Sequence, residues 1–363
     1  MKRTLLSPHL LLGVVALIGA SRLTAQQDPY TTHYAFNRMM FNPATAGAGD
    51  KFCLSVLSHY QYLGYEDRTL EFHPENPTNP NGPMGEAQKN VGPKTQYFSF
   101  SAPVTKYGGL GIAFMNDKLG YEFSTAIKID GAFRYPISQD ATIALGIEAN
   151  ILQKGLDGAK LKPLAPADPS IPTTKVSDSK TIFGAGLYYT NALSNSATFK
   201  NLWIGASMLN LNQPTYIYQP PGTLPSLNIS TPKPHIYVMG GVDMDNFLGN
   251  PDLVFHPSVM IKQNTIIQFD FTALAEYQKK LWGGVAYRTW ADAFSIMLGY
   301  SGFNGPLRGL RVGYSYDLTM SKILSVSSGT HELQLNYCFI IKIPEPVYIP
   351  LVTPPFMHRE SNE

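Results

Sequence analysis

The chain has 363 residues, with 28 Lys and Arg against 26 Asp and Glu and a formal net charge of +2. Charged residues make up 15%, against about 25% in ordinary soluble domains, while aromatics reach 12%, with 21 Tyr and 19 Phe. The near-neutral balance gives no field for nucleic acid, no basic run or base-stacking motif supplies one, and two cysteines are too few for a disulfide scaffold.

Residues 1–25 read as an export signal. Lys2 and Arg3 supply the positive start, and Leu10 to Ala20 is an uncharged, largely apolar run too short to span a bilayer as a helix. Cleavage is expected after Ala25. No later apolar run reaches the roughly 18 residues that a spanning helix needs. Residues 26–50 form an N-terminal extension, periplasmic or lumenal, that alternates poorly and carries turn signals at Asn42-Pro43 and Ala46-Gly47.

Residues 51–341 are expected to form an all-β, transmembrane, antiparallel barrel of about 14 strands. The candidates are 51–63, 95–104, 107–116, 123–135, 141–152, 180–190, 202–211, 234–243, 252–262, 266–276, 280–290, 293–301, 308–318 and 331–341. Every second residue decides the matter. Ile127, Ile129, Phe133 and Tyr135 oppose Lys128, Asp130 and Arg134; Leu333, Leu335, Tyr337 and Phe339 oppose Glu332, Gln334, Asn336 and Cys338. Charges on the polar face forbid a dry core there, since an unpaired buried charge is very costly. Lipid outside and a polar lumen inside satisfies both faces. The three longest connections, 64–94, 153–179 and 212–233, are the first, fifth and seventh, so all lie at one end of the barrel. Outer-membrane barrels put long loops outside and short turns in the periplasm. These loops are rich in proline, as at Pro220-Pro221, and are expected to resist forming further strands. Residues 342–363 hold five prolines and read as an extended periplasmic tail.

On this face assignment Lys128, Asp130, Arg134, Glu148, Lys262, Asp270, Arg288, Arg311, Asp317 and Glu332 point into the lumen as a polar network of mixed sign. Barrel closure sets the first strand beside the last, so Cys53 and Cys338 are expected to be near neighbours at the periplasmic rim, or a disulfide. No nucleophile elbow, His-Glu-x-x-His or Cys-x-x-Cys occurs, so no catalytic residue, metal site or cofactor is assigned. Gly109-x-Gly111 and Gly184-x-Gly186 lie inside strand patterns and read as barrel-lining glycines rather than phosphate loops.

Four stretches carry a family resemblance. They are Gln26-Gln27-Asp28-Pro29 with Phe41-Asn42-Pro43-Ala44-Thr45-Ala46-Gly47; Thr95-Gln96-Tyr97-Phe98-Ser99-Phe100-Ser101-Ala102-Pro103; Gly313-Tyr314-Ser315-Tyr316-Asp317; and Ser328-Gly329-Thr330-His331-Glu332-Leu333. In this order the chain resembles the PorP/SprF family of type IX secretion outer-membrane proteins, with Asn42, Pro43 and Gly47 as motif residues. The resemblance implies a multi-pass outer-membrane barrel that is not an enzyme. It implies binding, escort or anchoring of secreted surface proteins through their type IX C-terminal sorting domain, and contact with periplasmic secretion and gliding components. The alternative expectation is an outer-membrane pore or transporter for small solutes; a hydrolase lacks its nucleophile motif.

Overall fold

The computed structural model describes residues 29–66, 91–161, 172–218, 227–264, 266–289, 293–319 and 322–340. The export signal and the proline-rich tail lie outside these residues. Alternation along the chain resolves into β1 (Phe52–Tyr60), β2 (Lys94–Thr105), β3 (Gly108–Leu119), β4 (Glu122–Pro136), β5 (Ala141–Asp157), β6 (Lys175–Asn191) and β7 (Phe199–Leu209). After a short hairpin, β8 (Tyr216–Tyr218) and β9 (Leu227–Ser230), come β10 (His235–Met244), β11 (Leu253–Gln263), β12 (Ile267–Tyr277), β13 (Leu281–Arg288), β14 (Ala293–Tyr300), β15 (Leu310–Thr319) and β16 (Thr330–Phe339).

Fourteen of these strands, all but β8 and β9, form a closed antiparallel barrel. Each pairs with its barrel neighbours in chain order, β7 pairs with β10, and β16 returns to β1 from Phe52↔Phe339 to Tyr60↔His331. Closure leaves no open edge, which a strand structure in hydrocarbon requires.

The period of two places oily side chains outside and polar ones inside. Ile129 is 54% exposed while the next residue, Asp130, is 0% exposed. Ile147, Leu187, Phe271, Leu298 and Leu333 share the outer belt. At one end the connections are short, as at 106–107, 137–140 and 278–280; β1 starts and β16 ends there. Short turns mark the periplasmic side. Tyr107, Tyr135, Tyr277 and Tyr300 are exposed at that end, where amphipathic rings sit at a membrane interface. The connections 61–93, 158–174 and 210–234 leave the opposite, outer end.

One loop differs from its sequence reading. Connection 210–234 contains the β8–β9 hairpin, paired through Tyr216↔Ser230 and Tyr218↔Leu227. Tyr216 and Tyr218 are buried with Val176 and Ile182, and the Tyr216 hydroxyl donates to Leu152 O at 3.1 Å. Burial raises the Tyr218 phenol to about 12. The hairpin covers the outer extensions of β5 and β6, which reach Asp157 and Lys175. The Tyr-Ile-Tyr alternation of β8 buries two rings despite the proline-rich sequence around it.

The core lies inside the cylinder. Tyr34, Met39, Met40, Phe41, Ala44 and Ala46 of the N-terminal segment pack against wall residues including Leu57, Tyr97, Trp203 and Met239.

Candidate functional site

The segment from Pro29 to Asp50 lies in the lumen as a plug. It lacks strand periodicity and folds as three short 3-10 turns, Arg38–Met40, Pro43–Thr45 and Ala48–Asp50. Short turns leave backbone groups without internal partners, and here the wall satisfies many of them.

The plug begins near the outer end. The Tyr30 ring has Lys262 Nζ at 4.7 Å and Arg288 Cζ at 5.2 Å, a pair of cation–π contacts. Below it Glu332 forms a lock. Its carboxylate accepts from Thr31 Oγ1 at 3.0 Å, from the Thr32 amide at 3.0 Å and from the His33 amide at 2.9 Å. His33 Nδ1 stands 2.5 Å from one oxygen and His59 Nδ1 2.9 Å from the other. The Glu332 side chain is fully buried. Thr32 Oγ1 donates to Asp317 at 3.1 Å, and the Arg288 guanidinium donates to Thr31 O at 3.2 Å while facing Asp270 at 3.4 Å and Asp317 at 3.9 Å. A charge buried this deeply is tolerated only when so many donors surround it.

Farther down, Asn37 and Gln334 exchange amide bonds of 2.5 and 3.1 Å. Tyr34 Oη and Ser258 Oγ are 3.0 Å apart. Burial holds the Tyr34 phenol above its ordinary value. Arg38 donates to the Tyr188 hydroxyl at 2.5 Å and lies 4.1 Å over the Trp203 ring. Asn42 caps the second turn: its Oδ1 accepts from the Ala44 amide at 2.9 Å, and its Nδ2 donates to Leu187 O at 2.9 Å. Pro43 follows at the first position of that turn, where its missing N–H costs nothing.

Two glycines make the close passage possible. A Cβ on Gly146 would lie 2.1 Å from the Ala44 amide nitrogen. Gly47 has φ +63°, and a Cβ there would lie 2.5 Å from Ala102 O. The motif residues Asn42, Pro43 and Gly47 thus bend the plug and seat it against the wall.

The lumenal charges divide into separate groups. Asp270, Arg288, Asp317 and Glu332 meet at the outer end of the plug. Lys128 donates to Glu148 Oε2 at 3.0 Å and to Met40 O at 3.4 Å, with Asp130 directly opposite Glu148 in the β4–β5 register. Arg134 bonds Asp50 at 3.1 Å, where the exposed carboxylate makes the pair worth little. Arg311 bonds Glu276 at 3.0 Å. The sequence reading omitted His33, His59, Asp243 and Glu276. His59 was accessible to it, because it shares the inward parity of Ser55 and Leu57; His33 belongs to the non-periodic plug, where parity has no meaning.

Beneath the plug a cavity of about 490 Å³ lies at the periplasmic end. Its lining includes Arg38, Lys51, Ser55, Ser99 and Arg311, and no carboxylate among the described residues. Cys53 and Cys338 also face it; they are opposite one another in the β1–β16 register and form a disulfide, with Cα atoms 4.1 Å apart.

Solved barrels resemble this one in outline. The toluene transporter TbuX of Ralstonia pickettii is 12% identical, with a TM-score of 0.45, over 84% of this chain and 92% of that one. The Pseudomonas putida toluene transporter TodX is 11% identical, with a TM-score of 0.45, over 86% and 93%. The translocator domain of autotransporter NalP from Neisseria meningitidis is 9% identical, with a TM-score of 0.39, over 85% and 95%. No curated protein matches. Residues 23–337 match the family described as type IX secretion system membrane protein PorP/SprF. With that match across the barrel and its plug, the chain belongs to the PorP/SprF family of type IX secretion membrane proteins.

Proposed function

We propose that this outer-membrane barrel docks and anchors secreted surface proteins through their type IX C-terminal sorting domain, and engages periplasmic components of the secretion and gliding apparatus. One observation carries this reading over a solute pore. The plug is bonded to the wall around the barrel, from Glu332 on β16 through Ser258 on β11 and Leu187 on β6 to Arg134 on β4. A lumen filled in this way serves attachment better than flow. The periplasmic vestibule supplies the complementary surface, with serine hydroxyls and cations and no carboxylate among its described lining.

Mild detergent extraction of the native outer membrane, followed by quantitative mass spectrometry, tests the proposal. The expected result is recovery of a surface protein with a type IX C-terminal domain, reduced when Ser99→Trp fills the vestibule. Recovery of the barrel alone, or of the same partners at the same yield with Ser99→Trp, counts against it.

A further inference from the structure

The barrel wall has a break. The β10–β11 ladder runs from Ile236↔Gln263 to Gly241↔Ser258, then resumes at Met244↔Phe255 in the same register. Val242 and Asp243 therefore go unpaired against His256 and Pro257. Pro257 has no N–H to give to the ladder. On the other side of β10 the register to β7 shifts between Gly241 and Asp243, which marks a bulge of β7, with Leu202 and Asn201 both opposite Val242. Two irregularities thus meet at one point. Elsewhere in a bilayer-spanning sheet unpaired backbone would be prohibitive, and it is tolerated where it lines a cavity.

Cavities lie on both sides of the break. On the lipid face there is a groove of about 610 Å³, within the range of ligand pockets. Gly240, Pro257 and Ala273 form its shallow floor, between the larger Ile204, Phe271 and Tyr287. On the lumenal side is a cavity of about 240 Å³, with Arg38, Asp243, His256, Glu276 and Arg311 in its lining. Val242, Pro257, Ser258 and Thr272 line both, so the wall between them is one residue thick. The break lies in the periplasmic half: Val242 is two residues from the end of β10 at Met244, and Pro257 is four from the start of β11 at Leu253.

We propose that this break is a lateral binding site for a zwitterionic phospholipid of the periplasmic leaflet. An acyl chain occupies the outer groove, and the headgroup turns through the unpaired stretch into the lumenal cavity. The groove opens directly onto hydrocarbon, which supplies the chain. The cavity carries both signs of charge, paired with one another as Arg311 with Glu276 at 3.0 Å and His256 with Asp243, and the zwitterionic headgroup inserts between them, its phosphate toward Arg38 and Arg311 and its ammonium toward Asp243 and Glu276. His256 Nδ1 is 2.7 Å from Asp243 and its Nε2 is 3.6 Å from Glu276, which holds the two carboxylates on one side. The site stands apart from the docking role above, and either can fail without the other.

Photo-crosslinking in proteoliposomes tests it. The probe is phosphatidylethanolamine with a diazirine on the headgroup, and adducts are mapped by peptide mass spectrometry. Adducts on lumen-facing Trp203, Leu274 or Phe36 are expected in the wild-type protein. Gly240→Phe fills the groove floor from the lipid side and should abolish them. A second variant guards against misfolding: Gly240→Cys with Val259→Cys places cysteines directly opposite across the groove, where a Cβ on Gly240 meets nothing closer than 3.4 Å, so the same protein is compared reduced and oxidised. Lumenal adducts should disappear on oxidation and return on reduction. Adducts confined to the barrel rims in the wild type, or lumenal adducts unchanged by either variant, would overturn the proposal.

Discussion

Glu332 concentrates the argument at the scale of single residues. One carboxylate from β16 accepts from Thr31, Thr32 and His33 of the plug and stands beside His59 of β1. Breaking a buried charge cluster from one side costs about 3–5 kcal/mol, because the groups left behind are desolvated and unpaired. Glu332→Ala is therefore expected to unseat the plug while the barrel stays folded. Limited proteolysis near the N-terminus checks this: faster cleavage than wild type is expected, with unchanged heat-modified migration of the barrel. Tyr34 adds a pH dependence. Its phenol is raised above the ordinary 10.0 because burial disfavours the ionised form. The neutral ring therefore contributes fully below pH 10, and the contribution is lost as pH rises through the raised value. Alkaline proteolysis should loosen the wild-type plug more than the Tyr34→Phe plug; equal loosening would remove Tyr34 from this role.

At the scale of elements, the barrel was legible, while the plug was legible only as an N-terminal extension with a periplasmic or lumenal place and with none of its contacts. Strict alternation, as in Ile127 to Tyr135 and Leu333 to Phe339, reports two environments on two faces, and lipid against lumen is the pairing that accommodates the inward charges. Strand order followed from hairpin connectivity and closure. The plug has no such signal: its 3-10 turns carry no period, and its partners sit far away in sequence, from Arg134 to Glu332. The β8–β9 hairpin escaped for a related reason, since three residues before a Pro-Pro step are too few for a pattern. The first and last strands also carry the disulfide. It closes a sequence separation of 285 residues, which in the chain-entropy account stabilises the barrel by about 5 kcal/mol. The double variant Cys53→Ala and Cys338→Ala should refold with a lower urea midpoint, and thiol counting on unreduced wild-type protein should find no free thiol. An unchanged midpoint would mean that the seam hydrogen bonds alone hold β1 to β16.

At the scale of the whole molecule, a PorP/SprF barrel spans the outer membrane with apolar side chains toward lipid and a lumen filled by its own N-terminal segment. The filling explains features that look separate in the sequence: inward glycines on several strands, the Asn42-Pro43 cap, Gly47 in a left-handed turn, and acidic residues on β15 and β16 that meet plug donors. Single-channel recording in planar bilayers tests this account most directly. Purified wild-type protein is expected to give no sustained open current, while Gly146→Val, whose side chain collides with Ala44, should open steady conductance steps. A large, steady current from the wild-type protein would contradict it.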